Sequence, residues 1–528
     1  MSLLCNKLMH WCLALAAATC VRALELELSL EMPDTALPLP ASMCGLSIEA
    51  DRFVDWAGEP GKANQFTWNL MNNTKEKTGI APPIRIGGGS QDFIINVADL
   101  DNEEPGFYNI FAPVPELDDL ESTKQLFPQA YFTGAGYKYW RAACNFPPTT
   151  SFTFGVNFLA GNTSEAIAQI KNIEKAFAES DCSDVELYAI ELGNEADQWD
   201  DGVKRDEDWD IYAYSAQQIS YYEAINDTLG DNGRKYRFGD SASRWSVKNM
   251  LNTDALQGEF ASSINSLSVH HYHSTGQLDS RSVWPGKASG LVNKTSIRTE
   301  LDSYDDSVKL AADANYSFVL GETGSFASHG QQGVSNSAAA ALWLVDYSLH
   351  AAVVGISGLF FHQGVGYNYS AFEPVDHIGI NLTDYAPDAT HYTMPEYYGY
   401  VVVGEAIGSK EAYINEIEVD SSVPLTAFEI YEDNNLKRIV LINSQPWTEL
   451  STGERQNLTI QLPQLEYYDG ARYKLLEFES LSATSGLTWG GQSYETLSGK
   501  ASGEKVFHEL DSSGAISLPS SSVALIHL

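Results

Sequence analysis

Apolar and polar positions follow two different rhythms along this chain. LELELSL at 24–30 alternates with period two and predicts a strand. The proline-rich stretch LPLPASM at 37–43 reads as a linker. From there to about residue 400, short apolar runs alternate with helical segments. The runs are CGLSIE (44–49), PIRIGG (83–88), SFTFGVNF (151–158), VELYAIEL (185–192), KYRFGD (235–240), SLSVHHY (266–272), YSFVLGE (316–322) and GISGLFFHQG (355–364). Helical candidates between them include 163–180, 210–229 and 335–353. Each crossover is long enough for a βαβ unit, so the pattern predicts an α/β fold, a (β/α)8 TIM barrel over 37–400. The segment 93–145 is long for one crossover and is expected to carry extra structure over the barrel mouth. Beyond 400 the helical rhythm stops. Short strand-like runs separated by polar turns predict an antiparallel β-sandwich over 401–528. The strand within 24–36 is expected to join that sandwich and cover one of its edges.

Lys7 followed by the apolar stretch Leu8–Ala18, with Val21 and Ala23 as small residues ahead of a cut, predicts a signal peptide over 1–23 and secretion to the extracellular space. No other stretch is apolar for the ~18 residues a membrane span needs, so no membrane anchor is expected. Cleavage would leave Cys44, Cys144 and Cys182. In an oxidising compartment Cys144 and Cys182 are expected to pair, since each precedes a strand and both can meet at one end of a barrel. Eight N-x-S/T sequons, at Asn72, Asn162, Asn226, Asn293, Asn315, Asn368, Asn381 and Asn457, fit a glycoprotein. The 528 residues carry 70 Asp and Glu against 32 Lys and Arg, a formal charge of −38. That deficit of cations excludes a nucleic-acid partner, for nothing could neutralise a run of phosphates. A monomer is expected.

Barrel chemistry sits where strands end. The fourth strand runs into Asn194 and Glu195, and the seventh ends on Glu322. Two carboxylates facing each other across a cleft suit glycosidic bond cleavage, one protonating the leaving oxygen and the other attacking the anomeric carbon. Tyr272 ends the sixth strand, where its phenol could hold a carboxylate ionised. His270, His271 and His273 invite a metal, but strand alternation puts His270 on the face opposite the other two, and no metal or cofactor is expected. Glu49 ends the first strand and is placed for sugar hydroxyls. IRIGGGSQD (84–92) lacks the spacing of a dinucleotide or nucleotide loop. Trp199, Phe361, Tyr367 and Tyr369 could stack on sugar faces or pack internally.

These residues have a familiar arrangement. SIEA (47–50), PIRIGGGSQDF (83–93), GNEAD (193–197), HHY (270–272), LGETGS (320–325), ALW (341–343) and FHQGVGYNY (361–369) resemble glycoside hydrolase family 79, the β-glucuronidases and heparanases, over nearly the whole mature chain. The resemblance implies a barrel plus β-sandwich and retention of anomeric configuration. It implies Glu195 as acid/base, Glu322 as nucleophile, Tyr272 orienting Glu322, Asn194 on the sugar 2-hydroxyl, Glu49 on the glycone and Tyr369 beside the sugar carboxylate. The likeness breaks after Glu322. Where family members carry GET-x-S-x-Y-x-G to clasp a uronic carboxylate, this chain reads GETGSFASHGQ. Ala327 replaces the tyrosine, Ser328 and His329 take the clasp positions, and Gln332 stands where some members have lysine. Gly89 replaces an asparagine.

The leading expectation is a retaining β-glycosidase, most simply a β-D-glucuronidase acting on plant or fungal glucuronides. The alternatives are a β-glycosidase for glucose, galactose or xylose on the same scaffold, and a non-catalytic carbohydrate-binding protein.

Overall fold

Strands buried on both faces must be apolar almost throughout, and the eight runs of the first 400 residues meet that demand. The computed structural model describes residues 23–102, 108–111, 132–202, 204–242, 244–274, 287–375, 390–466, 468 and 470–528. The expected signal segment (Ala23 apart) and the sequon at Asn381 lie outside these residues. The eight runs form β1 (Cys44–Glu49), β2 (Ile84–Gly87), β3 (Ser151–Val156), β4 (Glu186–Leu192), β5 (Tyr236–Ser241), β6 (Ile264–Tyr272), β7 (Ser317–Gly324) and β8 (Gly358–Gln363). All pair in parallel with their sequence neighbours, and β8 closes onto β1 through Leu359 opposite Cys44. Several helices start at side-chain caps: Asn64, Asn162, Asp210 and Asn293 each accept from backbone N–H groups in the first turn of the helix that follows. Between β2 and β3, Ile94–Asn96, Tyr108–Phe111 and Phe132–Ala135 make a separate three-stranded sheet. Cys144 and Cys182 are disulfide-bonded, and Cys44 is free.

The second unit has a large antiparallel sheet, whose main path runs Leu37–Leu39, Ala412–Ile417, Leu425–Glu432, Asn435–Asn443, Ser522–His527, Arg472–Glu477 and Thr488–Trp489. A smaller sheet of Leu24–Glu25, Asn457–Gln461 and Ala515–Pro519 covers one face. Strand Leu425–Glu432 is buried at every position because its two faces serve two cores. Phe428 and Ile430 join the core continuous with the barrel, while Leu425, Ala427 and Tyr431 join the core between the sheets.

Three expectations about the borders change. The stretch read as a linker at 37–43 contributes Leu37–Leu39 as a strand antiparallel to Ala412–Ile414. It is an edge strand, the position in a sheet where Pro38 costs least. The N-terminal alternation forms a ladder only at Leu24–Glu25, parallel to the strand at 457–461. Its next apolar residues, Leu26 and Leu28, are still buried between the sheets. The border drawn at 400 falls inside a helix, Glu396–Ile407, which packs on the barrel helix Gln65–Thr78.

That helix carries one of the polar fastenings between the units. Glu405 accepts from Lys77 of the barrel at 3.0 Å, from Lys474 of the large sheet at 2.6 Å and from the Trp489 indole N–H at 3.0 Å. Burial opposes the charge of Glu405, but His527, Lys77 and Lys474 hold its carboxyl well below the usual range. Replacing it with Gln leaves the buried Lys474 ammonium without its counter-charge and should destabilise the chain by about 3–5 kcal/mol in urea unfolding. The depressed folded-state value makes this contribution complete above the unfolded carboxyl pKa of about 4.3 and lost as pH falls through the folded value. The gap between wild type and Glu405→Gln should therefore close on acidification. A gap that stays constant below pH 4 would contradict the assignment.

Candidate active site

The C-terminal ends of the strands open into a cleft of about 520 Å³, lined by Glu49, Glu195, His270, Tyr272, Glu322, Ser328, His329, His362 and Tyr369 among others. Glu195 reaches it through a strained turn. After β4, Gly193 has φ +81° and Glu195 has φ +49°, in the left-handed region. The Asp92 carboxylate holds this turn from below, accepting the backbone N–H groups of Phe158, Leu159 and Asn194 at 3.0, 3.2 and 2.9 Å. Burial pushes Asp92 up to about 6 despite those bonds. The Glu195 N–H donates to the Asp240 carbonyl at 2.8 Å. Its side chain meets His270 Nδ1 at 3.0 Å and accepts from Gln198 Nε2 at 2.7 Å.

Glu322 lies across from it on β7, with an oxygen within 4.8 Å of one from Glu195. It is 7% exposed and heavily supported. Arg85 Nη1 donates to one oxygen at 2.8 Å and the Tyr272 hydroxyl to the other at 2.6 Å. His362 Nδ1 and His270 Nδ1 stand 3.6 and 3.9 Å away. Burial alone would raise its pKa. His362, His270, Arg85 and the Tyr272 bond more than offset this and hold Glu322 well below the ordinary carboxylate range. Conversely, burial works against charge on His270 and His362, but Glu322 raises both above the usual imidazole value.

Arg85 ties the floor together. Wholly buried, it bonds Glu191 through two nitrogens and donates to Ser47 Oγ at 3.0 Å and to Asn194 Oδ1 at 2.8 Å. Its sequence signal was a lone charge in the apolar strand PIRIGG, which pattern alone could not separate from a turn residue. His362, which bridges toward Glu49 Oε1 at 3.2 Å, also escaped sequence reasoning, as did Gln198 and Asp240. Gly88, at φ +79°, admits Glu49 because a Cβ there would lie 2.6 Å from its carboxylate. Glu49 is fixed further by the Ser90 hydroxyl and N–H.

The remaining expected residues separate. Tyr369 lines the cleft with its ring centroid 5.8 Å from that of Tyr272. Asn194 sits on the floor, its carbonyl oxygen taken by Arg85. His329 lines the wall, stacked on Tyr367 at 4.0 Å, and burial lowers its pKa. A charged imidazolium at this clasp position is thus disfavoured. Gln332 is exposed and lies outside the cleft lining, because the turn that follows Gly330 is held by Ser335 Oγ on the Gln331 N–H. Trp199 packs against Phe158 and Trp209, and Phe361 against Trp343 and Tyr400, so both are core residues. His271 and His273 both turn to Glu300, at 3.3 and 2.7 Å, away from His270. Glu195, His270 and Glu322 offer ligand atoms within 4.8 Å of one another. A divalent cation there would meet the Arg85 guanidinium already on Glu322, which disfavours it.

A parallel barrel with a carboxylate pair at the ends of its fourth and seventh strands, joined to a β-sandwich, defines a glycoside hydrolase of the barrel type, acting on carbohydrate. Residues 427–525 match the glycosyl hydrolase family 79 C-terminal beta domain. The chain is 25% identical to a Neurospora crassa β-glucuronidase, covering 90% of this chain and 88% of that protein. An Aspergillus niger β-glucuronidase is 26% identical over 94% and 92%. In fold it is similar to a 4-O-α-L-rhamnosyl-β-D-glucuronidase from Fusarium oxysporum, with TM-score 0.76, 21% identity and coverage of 96% of this chain and 100% of that one. These matches support a relationship to glycoside hydrolase family 79. Among the described residues no helix is long and apolar enough to cross a membrane.

Arg85→Lys keeps the charge but loses the fork that serves Glu191, Glu322 and Asn194 together. Each charge-assisted bond lost is worth about 1.5–3 kcal/mol, so kcat/KM should fall roughly ten- to a hundredfold or more, with an unchanged circular dichroism spectrum. Full activity in this variant would show that the guanidinium does not position Glu322.

Proposed function

We propose that this chain is a secreted, monomeric retaining β-D-glucuronidase acting on plant or fungal glucuronides, with Glu322 as nucleophile and Glu195 as acid/base. The observation that carries it is the approach of the two carboxylates within 4.8 Å. Retaining enzymes hold their pair about 5–5.5 Å apart, whereas inverting enzymes need about 6.5–9.5 Å to admit a water. The ionised Glu322 attacks the anomeric carbon while Glu195 gives its proton to the departing oxygen. Glu195 then takes a proton from water, whose oxygen displaces Glu322 from the glycosyl-enzyme. Asn194, with its carbonyl engaged by Arg85, presents its amide N–H groups for the 2-hydroxyl. Glu49 is a hydrogen-bond acceptor for glycone hydroxyls. Secretion is supported by the apolar leader, the sequons and the Cys144–Cys182 bond.

The names of the two fungal relatives support a glucuronide. The wall after Glu322 supports a weakened grip on it. Ala327 has no donor in its side chain, and His329 is pushed toward neutrality. The uronic carboxylate would rely on Tyr369, Ser328 and a neutral imidazole. This same wall favours the second reading, a neutral glycone. Comparing kcat/KM on aryl β-glucuronide, β-glucoside, β-galactoside and β-xyloside decides between them. The expected result is glucuronide turnover with modest preference, any loss attributable to His329 lying below the ordinary imidazole pKa of about 6.5. Turnover of a neutral glycoside alone would install the second reading, and no turnover of any would favour a carbohydrate-binding protein.

Two variants test the roles. Glu322→Ala should lose covalent labelling by a 2-fluoro glycoside, and persistent labelling would place the nucleophile elsewhere. Tyr272→Phe removes a bond that favours the charged form of Glu322, so the Glu322 pKa rises and the acid limb of kcat/KM moves to higher pH. An acid limb that does not move would sever Tyr272 from the ionisation of Glu322.

A further inference from the structure

The barrel has a second mouth. At its N-terminal face, remote from the carboxylate pair, a cavity of about 300 Å³ opens among the first residues of the strands. Its lining includes Ser151, Thr153, Tyr188, Arg237, Ser317 and Phe360. Barrels usually fill this end with layers of branched apolar side chains. Here hydroxyls and a guanidinium stand among them.

Arg237 is 1% exposed and lies over the Phe360 ring, 4.6 Å from its centroid. Its Nε and Nη1 atoms have no hydrogen-bond partner among the described residues. Burial opposes its charge, and Asp240 and Glu191 act on it as partly compensating charges without pairing with it. A buried guanidinium with unsatisfied donors is costly, and such a group commonly marks a missing partner. The missing partner is anionic because the group is cationic. It is singly charged because Asp240 and Glu191 already bring negative charge to the same interior, so a dianion would pay repulsion for little added attraction. It bears hydroxyls because Ser, Thr and Tyr side chains make up part of the wall, beside the apolar Pro83, Ile84, Val319 and Phe360. The volume falls at the small end of ligand pockets, about 300–1,000 Å³.

We propose that the N-terminal mouth of the barrel is a second binding site, taking a small hydroxylated carboxylate whose carboxyl group meets Arg237. The site shares no residue with the catalytic cleft, so it stands whether or not the glucuronidase reading holds.

The test is calorimetric titration of the full chain at fixed ionic strength with sodium gluconate, acetate and inorganic phosphate. Wild type is compared with Arg237→Met and with Ser317→Leu, which fills the mouth and leaves Arg237 in place. Gluconate should bind more tightly than acetate or phosphate, and each substitution should weaken it at least tenfold. In Ser317→Leu, kcat/KM for the cleft substrate should stay within twofold of wild type. Should Arg237→Met fail to fold, Ser317→Leu alone decides. Gluconate binding unaffected by Ser317→Leu would place it in the cleft or on the surface and overturn the proposal. Phosphate bound more tightly than gluconate, acetate bound equally well, or no binding of any probe would overturn it too.

Discussion

A guanidinium that cannot lose its proton sits buried in the barrel, cut off from water. Arg85 has no neutral form to retreat to, so its surroundings must answer its charge or the fold bears the desolvation penalty. Glu191 supplies one answer and Glu322 another, while Ser47 and Asn194 take further donors. Strands β1, β4 and β7 are thereby held to a single side chain of β2. Glu322 stands where a buried cation needs a second carboxylate.

This arrangement explains how an acidic chain keeps a reactive carboxylate ionised. The formal charge of −38 surrounds the cleft with negative potential, which by itself would favour protonation of Glu322. Arg85, His270 and His362 reverse that locally. Both imidazoles touch an acid as well: His270 at Glu195, His362 at Glu49. Charge is thus alternated through the floor of the cleft, and the two carboxylates of the pair live in unequal surroundings. Glu322 is enclosed by cationic donors, whereas the Glu195 side chain remains 26% exposed. Unequal environments for two like groups are what acid and nucleophile roles require.

The eight barrel strands were legible because burial on both faces leaves an unmistakable apolar run between turn signals. Glu195 and Glu322 were legible because each follows such a run and a glycine. Leu37–Leu39 was not, since its strand character comes from a partner nearly 400 residues away and its proline argues locally for a break. Arg85 and His362 stood within strands already read as structural, and only the closing of the barrel turns them toward Glu322. Gln332 was read from its match to a family lysine position, but its side chain is exposed and lies outside the cleft lining.

The small sheet of the sandwich has a temporal meaning. Leu24–Glu25 pairs with a strand that begins at Asn457, and the large sheet has Ser522–His527 between Asn435–Asn443 and Arg472–Glu477. During synthesis the barrel can close once β8 has emerged, while the first strand of the chain still waits for partners not yet made. Its leucines remain uncovered through that interval, and contacts of such long sequence separation form slowly. Vectorial folding therefore runs from the middle of this chain outward, and its two ends are locked together last.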